Sequence, residues 1–373
     1  MVKPIIVGVD IRDLKIAKTG TKTYLEEVCK EFKKGRPDFQ FYFFDSPIPV
    51  YNGRNKVFKL IEHLRFLLWK QLMLPIMAFS KGCDIVFCTD FFVPCINLNY
   101  KTIPVFHDAF FWEYPAHYNK YWLKLFYSFG VWGAKKSAFI TTPTDYAKKT
   151  VLTFLPVPAE KIITVSEAPK TFTDNTASPS GKLKLKTSYY FLHIGTFEKR
   201  KNLTILIEAL HSLHLEGFTD YSLILCGQIS PKNDMDGSSE LLDTIRKHNL
   251  EDYVLMPGYV EDNELSSYYS NATLYLFPSI NEGFGLPILE AFHNKLPVLV
   301  ADNTCLPEVG GDAVICFNPY STADLVSKIK QVINNPQLKQ QLIETGISRL
   351  QDFSWEKTAN ELLEIFKKAN NRT

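Results

Sequence analysis

The feature that most constrains this chain is an alternation of short apolar runs with helical patterns, which occurs twice. The runs are four to six residues long and lack clean apolar–polar alternation, as expected of strands buried on both faces of a parallel sheet. In the first half they span residues 4–9, 39–44, 84–88, 103–107 and 138–142. In the second half they span residues 189–194, 222–226, 253–256, 274–277 and 298–301.

Helical patterns lie between several of these runs. They cover residues 23–34, 119–136, 203–216, 240–248, 263–270, 288–293, 321–334 and 355–368. Strands that alternate with helices predict an α/β fold with helices on both faces of a parallel sheet. The chain has 373 residues, which exceeds the roughly 250–300 at which single cores stop growing. We therefore expect two doubly wound, Rossmann-like domains in tandem, with a ligand cleft between them.

A composition shift marks the expected boundary. Residues 168–186 are rich in Pro, Ser, Thr and Lys and poor in apolar side chains, which is typical of a linker or an exposed loop. We predict an N-terminal domain over residues 1–170, a linker over 171–187 and a C-terminal domain over 188–354.

Composition excludes several classes of protein. A formal net charge of +2 gives no reason to expect a nucleic-acid partner. The seven cysteines include no C-x-x-C pair, which indicates free thiols in a reducing compartment and makes a zinc site improbable. The start of the chain does not resemble a signal peptide, and residues 66–79 are too interrupted for a membrane span. We expect a cytoplasmic protein.

The most informative segment is PSINEGFGLPILEAF, residues 278–292. Gly283 and Gly285 allow close backbone approach to a ligand, and Pro287 suits the first turn of a helix. Glu282 then lies in the loop and Glu290 in the first turns. Two carboxylates near a helix N-terminus suit sugar hydroxyls, each of which can donate a hydrogen bond. Solvated acids at an ordinary strand–turn–helix junction remain the alternative.

A second segment, HIGTFEKRKNL, carries basic side chains beside the expected start of a helix near Asn202. A strand ends at Gly195, and Arg200 and Lys201 follow in the loop. Fixed cations beside unpaired helical N–H groups can cradle a diphosphate. The alternative is a basic loop in water.

Three further features are weaker. His107, in FHDAFFWEY, follows an apolar strand and could hydrogen-bond a sugar or an acceptor, although a satisfied core histidine is the alternative. Gly20, in the loop TGTKTY, could approach a phosphate. Asp234 and Asp236 superficially form a metal-binding D-x-D sequence, but they lie in a polar loop that we expect to be solvated.

Taken together, these segments resemble the retaining glycosyltransferases of family 4, which have the GT-B fold, over nearly the whole chain. GVDIRD…TGTKTY is similar to the family's first strand and glycine loop, VFHDAFF to its His-Asp strand end, and ITTPTDYAKK to its Ser/Thr motif. PGYVEDNELSSYYSNA resembles the segment that meets the nucleobase, and NEGFGLPILEAF matches the E-x7-E motif. One departure is Lys22, where family members often have a second glycine.

The resemblance implies roles for particular residues. Arg200 and Lys201 would neutralise the leaving diphosphate without a metal, Glu282 would bind hydroxyls of the transferred sugar, and Glu290 would hold the ribose. His107 would lie beside the sugar. The implied donor-binding residues are Gly20, Gly195, Thr196, Arg200, Lys201, Gly258, Tyr259, Val260, Glu282, Gly283, Phe284, Gly285, Leu286 and Glu290, with Phe284 and Leu286 acting through their backbone N–H groups.

The implied reaction is retaining transfer of a hexose from a nucleotide sugar (GDP-mannose, or a UDP- or dTDP-sugar) without another cofactor. The acceptor would be a glycan or a lipid-linked sugar in polysaccharide assembly, as for mannosyl- and rhamnosyl-type members. The resemblance implies that the N-terminal domain binds the acceptor and the C-terminal domain the nucleotide-sugar donor. The family's ending, FSW, implies that residues 355–373 pack back on the N-terminal domain. Residues 51–79 mix basic and aromatic side chains, which suits peripheral contact with an anionic membrane or simple packing on the core.

Two other classes stay open. The first is a nucleotide-sugar epimerase or a phosphorylase with the same architecture, and the second is a catalytically silent subunit that binds nucleotide sugars. The E-x7-E segment and the basic pair favour transfer.

Overall fold

The computed structural model describes residues 3–17, 20–51, 53, 55–96, 98–170, 186–228 and 235–371. Residues 171–185 of the predicted linker, and Asp234, lie outside this set. The chain divides into two compact units. The N-terminal unit comprises Met1–Ala168 and Ser354–Thr373, and the C-terminal unit comprises Pro169–Phe353. The predicted ends of the two domains, 170 and 354, lie within two residues of these limits, whereas the C-terminal unit begins at Pro169 and not at the predicted residue 188.

The N-terminal unit contains a parallel sheet in the order β2-β1-β3-β4. A parallel bridge from Val105 to Thr141 connects this sheet to the pair β5–β6. The strands are β1 (Ile5–Asp10), β2 (Phe39–Phe44), β3 (Ile85–Cys88), β4 (Lys101–Pro104), β5 (Ile140–Thr142) and β6 (Ile162–Thr164).

Its helices are α1 (Gly20–Lys33), α2 (Lys56–Leu68), α3 (Leu74–Ser80), α4 (Phe110–Glu113), α5 (Lys120–Leu125), α6 (Val131–Lys136), α7 (Asp145–Phe154) and, from the end of the chain, α15 (Trp355–Ala369). π-helical turns over Trp69–Met73 and Phe126–Gly130 join α2 to α3 and α5 to α6. Pro75 lies in the first turn of α3. Its ring would crowd the carbonyl four residues earlier, and the wider turn before it relieves that clash.

The C-terminal unit contains one parallel sheet in the order β12-β11-β10-β7-β8-β9. The strands are β7 (Tyr189–Ile194), β8 (Tyr221–Cys226), β9 (Val254–Gly258), β10 (Leu274–Phe277), β11 (Val298–Ala301) and β12 (Val314–Phe317). The helices are α8 (Thr204–Leu215), α9 (Ser238–Lys247), α10 (Asp262–Ser270), α11 (Leu286–His293), α12 (Leu306–Gly310), α13 (Thr322–Ile333) and α14 (Pro336–Leu350).

The α/β class and the parallel sheets are therefore as predicted. The strands β2, β7, β10 and β11 coincide with their predicted ranges, because polar residues, Gly or Pro bound these apolar runs on both sides. The elements that sequence analysis missed include strands β6 and β12 and helices α7, α12 and α14. Only Leu342 and Gly346 of α14 are buried, so this helix has too little apolar periodicity to detect.

Two local predictions were wrong. The run 103–107 is not one strand: β4 ends at Pro104, and Phe106 N–H instead donates to Thr141 O, which belongs to the next strand. Gly20 lies not in a loop but at the first position of α1.

Helix α15 belongs to the N-terminal unit, as the resemblance implied. Ser354 caps its start by accepting from Lys357 N–H, and Thr358 Oγ1 donates to Ser166 O at 2.7 Å. Trp355 packs edge-on against Tyr24 of α1. Buried aromatic contacts therefore fix the end of the chain to its beginning.

All seven cysteines are free thiols. In the part of the chain that the structure describes, no helix combines the length and apolar content needed to cross a bilayer.

Candidate functional site

The loop after β7 presents two predicted cations. Residues Lys199–Lys201 form a 3₁₀ turn, which ends at Asn202 in the left-handed conformation (φ 54°). Helix α8 begins at Thr204, two residues later than expected. Ile280 N–H donates to Arg200 O at 2.8 Å, so this turn is tied to the segment that follows β10.

Glu282 lies between the two cations. Arg200 Nη1 donates to Glu282 Oε2 at 3.1 Å, and Lys201 Nζ donates to Oε1. All three side chains are at most 19% exposed. Burial alone would raise the pKa of Glu282, but the charges of Lys201 and Arg200 lower it to about 2. Burial also lowers the pKa of Lys201. The cluster is therefore an ionised carboxylate holding two cations in place.

Arg200 is fixed by further partners. Its Nε donates to Glu198 Oε2 at 2.6 Å, and its Nη1 also donates to Asn281 O at 2.9 Å. Its orientation therefore does not depend on Glu282 alone.

Glu290 lies on α11, as the sequence predicts. Gly285 precedes this helix with φ 101°, a value that favours glycine, and Pro287 is in the first turn. Gly285, the residue before α11, has no side chain with which to cap the first N–H groups of the helix. Tyr269 hydroxyl donates to Glu290 Oε2 at 2.8 Å. The carboxylate is thereby held inside the unit.

Glycines bring two other strand ends into contact. A Cβ on Gly227, just after β8, would lie 1.7 Å from Gly195 O, so a side chain there would collide with the β7 loop. Gly195 itself lies beside His193 Nε2 and the Lys201 side chain. His193 Nδ1 is 2.9 Å from Leu276 O, and burial lowers the pKa of His193 to about 4. The neutral ring therefore donates from Nδ1.

A cavity of about 490 Å³ opens beside these loops. Its lining residues come from the ends of β8 and β9 and from neighbouring segments: Phe197, Gly227, Gln228, Ser238, Leu241, Leu242, Met256, Gly258 and Tyr259. Gly258 (φ 81°) ends β9, and Tyr259 is largely exposed, whereas Val260 is buried. Of these cavity-lining residues, Gly258 and Tyr259 were among the predicted donor-binding residues. Gly227 and Gln228 were not predicted, although Cys-Gly-Gln after an apolar run is a turn signal.

His107 belongs to the N-terminal unit, whereas Gly195 to Glu290 belong to the C-terminal unit. His107 Nδ1 is 3.0 Å from Glu167 Oε1, and Nε2 is 3.2 Å from Thr89 O. Burial alone would lower the pKa of His107, but the hydrogen bond and charge of Glu167 raise it. Both ring nitrogens therefore face hydrogen-bond acceptors, an arrangement that favours the protonated form of the ring.

The remaining predicted positions make simpler contacts. Phe284 and Leu286 are buried, and Cys305 Sγ donates to Glu282 O and Phe284 O at 3.3 and 3.2 Å. Asp236 accepts from Ser238 N–H, which makes it a local turn residue. Within the described ranges, no group of three or more His, Cys, Asp or Glu is arranged to hold a metal ion.

The family model described as "Glycosyl transferases group 1" matches residues 174–349, which contain every part of the Arg200–Lys201–Glu282 cluster. The chain is 28% identical to O-antigen chain mannosyltransferase B of Escherichia coli over 279 residues, 72% of this chain and 70% of that protein. It is 26% identical to the serotype-specific mannosyltransferase WbdA of Escherichia coli over 76% of this chain but only 36% of WbdA.

Among solved structures, HepE of Anabaena in complex with UDP superposes with a TM-score of 0.72 at 16% identity, covering 98% of this chain and all of that one. Likenesses of this kind define the fold as GT-B. The C-terminal unit carries a glycosyl transferases group 1 domain, and the chain is a glycosyltransferase. Its relatives are mannosyltransferases of polysaccharide assembly.

Proposed function

We propose that this protein transfers a hexose, with retention of anomeric configuration and without a metal, from a nucleotide sugar to a glycan or lipid-linked acceptor. The observation that carries the proposal is the Arg200–Lys201–Glu282 cluster in the loops just before α8 and α11. Mannose is the first sugar to test, because the named relatives are mannosyltransferases.

The leaving diphosphate accounts for the two cations. Charge develops on the diphosphate as the glycosidic bond breaks, and fixed cations stabilise that charge without reorganising. Arg200 is already oriented by Glu198 and Asn281, and the first N–H groups of α11 favour an anion. Gly283, Phe284, Gly285 and Leu286 would place backbone beside the sugar and the phosphate.

The two glutamates suit hydroxyl groups. A carboxylate accepts about four hydrogen bonds, and the two cations use one bond each on Glu282, which leaves capacity for the sugar. Glu290 would hold the ribose hydroxyls. The cavity next to Gly258 and Tyr259 is large enough for a nucleobase, and a UDP complex of HepE, which has a similar fold, supports a nucleotide donor.

Nucleotide release tests the proposal. A panel of GDP-mannose, UDP-glucose and dTDP-rhamnose is incubated with α-mannoside acceptors, and the anomeric configuration of the product is read by NMR. One donor should release nucleotide and give a product with the donor's configuration, unaffected by EDTA. If no donor in the panel releases nucleotide, the transfer proposal is contradicted. A product of inverted configuration would contradict retention, and loss of activity in EDTA would contradict metal independence.

The proposed contact with a membrane rests on α2, the π-turn and α3. Apolar side chains follow one another at spacings of three and four along this surface, and each is at least 42% exposed: Val57, Leu60, Ile61, Leu64, Leu68, Leu72, Ile76 and Phe79. We call these eight residues the apolar stripe. The opposite side of the same helices packs Phe66, Trp69 and Leu74 into the core. A helix that is apolar on both sides needs a second apolar environment.

Charge favours an anionic bilayer as that environment. Glu62 is the single acidic residue between Val57 and Phe79. It is mostly buried and bonded to Arg12 and Arg65, whereas Lys59 and Lys81 are exposed. Burial of one Leu or Ile side chain contributes about 1.5–3 kcal/mol, so a few inserted side chains are enough for adsorption. Such adsorption would bring the protein to a lipid-linked acceptor.

Liposome flotation tests this contact. The protein should float with vesicles of phosphatidylglycerol, and less with vesicles of phosphatidylcholine. A Leu64→Gln/Leu68→Gln/Leu72→Gln variant should remain in solution, whereas the control Leu215→Gln, an exposed leucine of the other unit, should float normally. Equal flotation of all three proteins would contradict the assignment, as would concentration-dependent dimerisation that the triple variant abolishes.

A further inference from the structure

The ring of His107 is held through both of its nitrogens. Nδ1 lies 3.0 Å from Glu167 Oε1, and Nε2 lies 3.2 Å from the main-chain oxygen of Thr89. The side chains of His107 and Glu167 are only 15% and 5% exposed. A neutral imidazole has a single N–H, so it could donate to only one of these oxygens and would turn a lone pair towards the other. The two contacts together therefore suit a ring that carries a proton on each nitrogen.

Glu167 is the group that acts most directly on the charge of this ring. Burial lowers the pKa of His107, but the hydrogen bond and charge of Glu167, with smaller effects of the Asp108 charge and the Thr89 oxygen, raise it overall. Tyr24 also faces the ring, at 5.1 Å between centroids. Its phenol stays neutral because burial, and then the charge of Glu167, raise its pKa. The ring therefore faces one carboxylate that both accepts its hydrogen bond and balances its charge.

Helix α15 fixes the groups on both sides of the histidine ring. Thr358 Oγ1 donates to the main-chain oxygen of Ser166 at 2.7 Å, which anchors the chain immediately before Glu167. Trp355 packs edge-on against Tyr24. Thr358 and Trp355 are both buried in the N-terminal unit. A carboxylate on an anchored main chain has less conformational entropy to lose when it holds a partner in one orientation.

We propose that Glu167 is a positioning residue that keeps His107 a hydrogen-bond donor at Nε2, so that His107 binds a substrate oxygen and does not act as a general base. Glu167 occupies Nδ1, whereas the contact from Nε2 to Thr89 O is at the long limit for N–H···O. One N–H can be shared between two acceptors, so a substrate oxygen can share Nε2–H. A ring with protons on both nitrogens has no lone pair with which to take up another. The proposal rests on the proposed transferase function and adds to it the state of His107.

The state of His107 can be measured without any substrate. Two-dimensional ¹H–¹⁵N spectra of the imidazole groups are recorded against pH, and His107→Gln assigns the signal. In the wild type, His107 should titrate above the ordinary histidine value of about 6.5. Glu167→Gln removes the charge but keeps a side chain of similar size, and it should lower the pKa of His107 by about one to three pH units. Glu167→Asp, which keeps the charge, should restore part of the difference.

The role of this state in turnover is read from the pH dependence of kcat/KM for nucleotide release. A donor at Nε2 must be protonated, so release should fall as pH rises through the pKa of His107. In Glu167→Gln the fall should occur about one to three pH units lower. Between the two pKa values the variant should be slower than the wild type by up to about tenfold for each pH unit. A general base would give the opposite sign, with release rising through the same pKa.

The matched control is Glu160→Gln, which removes the charge of an exposed glutamate of the same unit. It should leave the pKa of His107 and the pH profile as in the wild type. An unchanged pKa in Glu167→Gln would overturn the proposal. A lowered pKa with an unchanged pH profile would also overturn it, because the pair would then be structural only. If the wild type releases nucleotide from no donor, the transferase proposal fails, whereas the spectra still decide whether Glu167 sets the state of His107.

Discussion

Two charged clusters, one in each unit, use the same residue types with opposite results. In the C-terminal unit, Arg200 and Lys201 match Glu198 and Glu282 one to one, and the pKa of Glu282 falls to about 2. In the N-terminal unit, Asp10, Asp13 and Asp90 share Lys70, and the pKa of Asp90 rises to about 8. Both sites are buried, so the ratio of cations to carboxylates decides the sign.

The difference bears on the ligand that we propose for the C-terminal cluster. Balanced, ionised groups with oriented cations suit a diphosphate that gains negative charge during the reaction. Most of the following predictions substitute a residue of one cluster and leave the other cluster unchanged.

The largest effect is expected in the C-terminal cluster. Lys201→Ala and Glu282→Ala should each lower turnover by about 10³-fold or more. Lys201→Ala removes a cation that stabilises the leaving diphosphate, and Glu282→Ala removes the carboxylate that holds Arg200 and Lys201 in position. Nucleotide release measures turnover, and circular dichroism should show an intact fold. Lys199→Ala, which changes an exposed lysine of the same turn, should be nearly neutral. Near-normal turnover in both site variants would defeat the assignment.

The next effect concerns stability in the N-terminal cluster. Lys70→Met leaves the buried Asp10 without its cation and should lower the free energy of unfolding by about 3–5 kcal/mol. Urea denaturation measures the change. A loss below about 1 kcal/mol would show that the carboxyl groups simply take up protons, and that Lys70 does not organise them.

The pH dependence of stability should have opposite signs in the two clusters. The raised pKa of Asp90, which faces Lys70, Asp13 and Asp10, contributes stability that is present below pH 4 and is lost as pH rises through about 8. The lowered pKa of Glu282 contributes stability that is present above pH 4.5 and is lost as pH falls towards 2.

Substitution should remove each dependence separately. Asp90→Asn should reduce the slope of the unfolding free energy against pH between pH 5 and 8. Glu282→Gln should reduce the slope between pH 2 and 4.5. Each reduction is at most about 1.4 kcal/mol per pH unit. Urea titrations at several pH values measure this. The same profile in both variants would mean that the clusters do not differ in protonation.

Sequence reasoning recovered the C-terminal cluster better than the N-terminal one for a physical reason. The C-terminal residues lie in two continuous segments, which contain Arg200 and Lys201 in one and Glu282 and Glu290 in the other. The glycines and the proline of these segments indicate turns. Asp10, Asp13, Lys70 and Asp90 come from three distant segments, and Lys70 points inward because of a π-helical turn. Residues that only the tertiary structure brings together form no sequence motif from which a site could be predicted.

The same reasoning explains what was misjudged along the chain. Residues 51–79 were recognised as basic and aromatic, yet no periodicity distinguishes the buried Lys70 from the exposed Lys59. His107 was placed correctly after a strand, but its bond to Glu167, 60 residues away, could not be read from FHDAFFWEY.

The smallest effect concerns Glu290, which separates charge from orientation in the C-terminal unit. Tyr269→Phe removes the hydroxyl that donates to Glu290 Oε2 but leaves Arg200, Lys201 and Glu282 unchanged. If Glu290 holds the ribose, loss of this bond should raise the donor KM about 2- to 12-fold, the equivalent of 0.5–1.5 kcal/mol, with kcat unchanged. Steady-state nucleotide release measures both constants. A fall in kcat at constant KM would show instead that Glu290 acts on the diphosphate in the transition state, and the separation of ribose-holding from charge-stabilising residues would then be wrong.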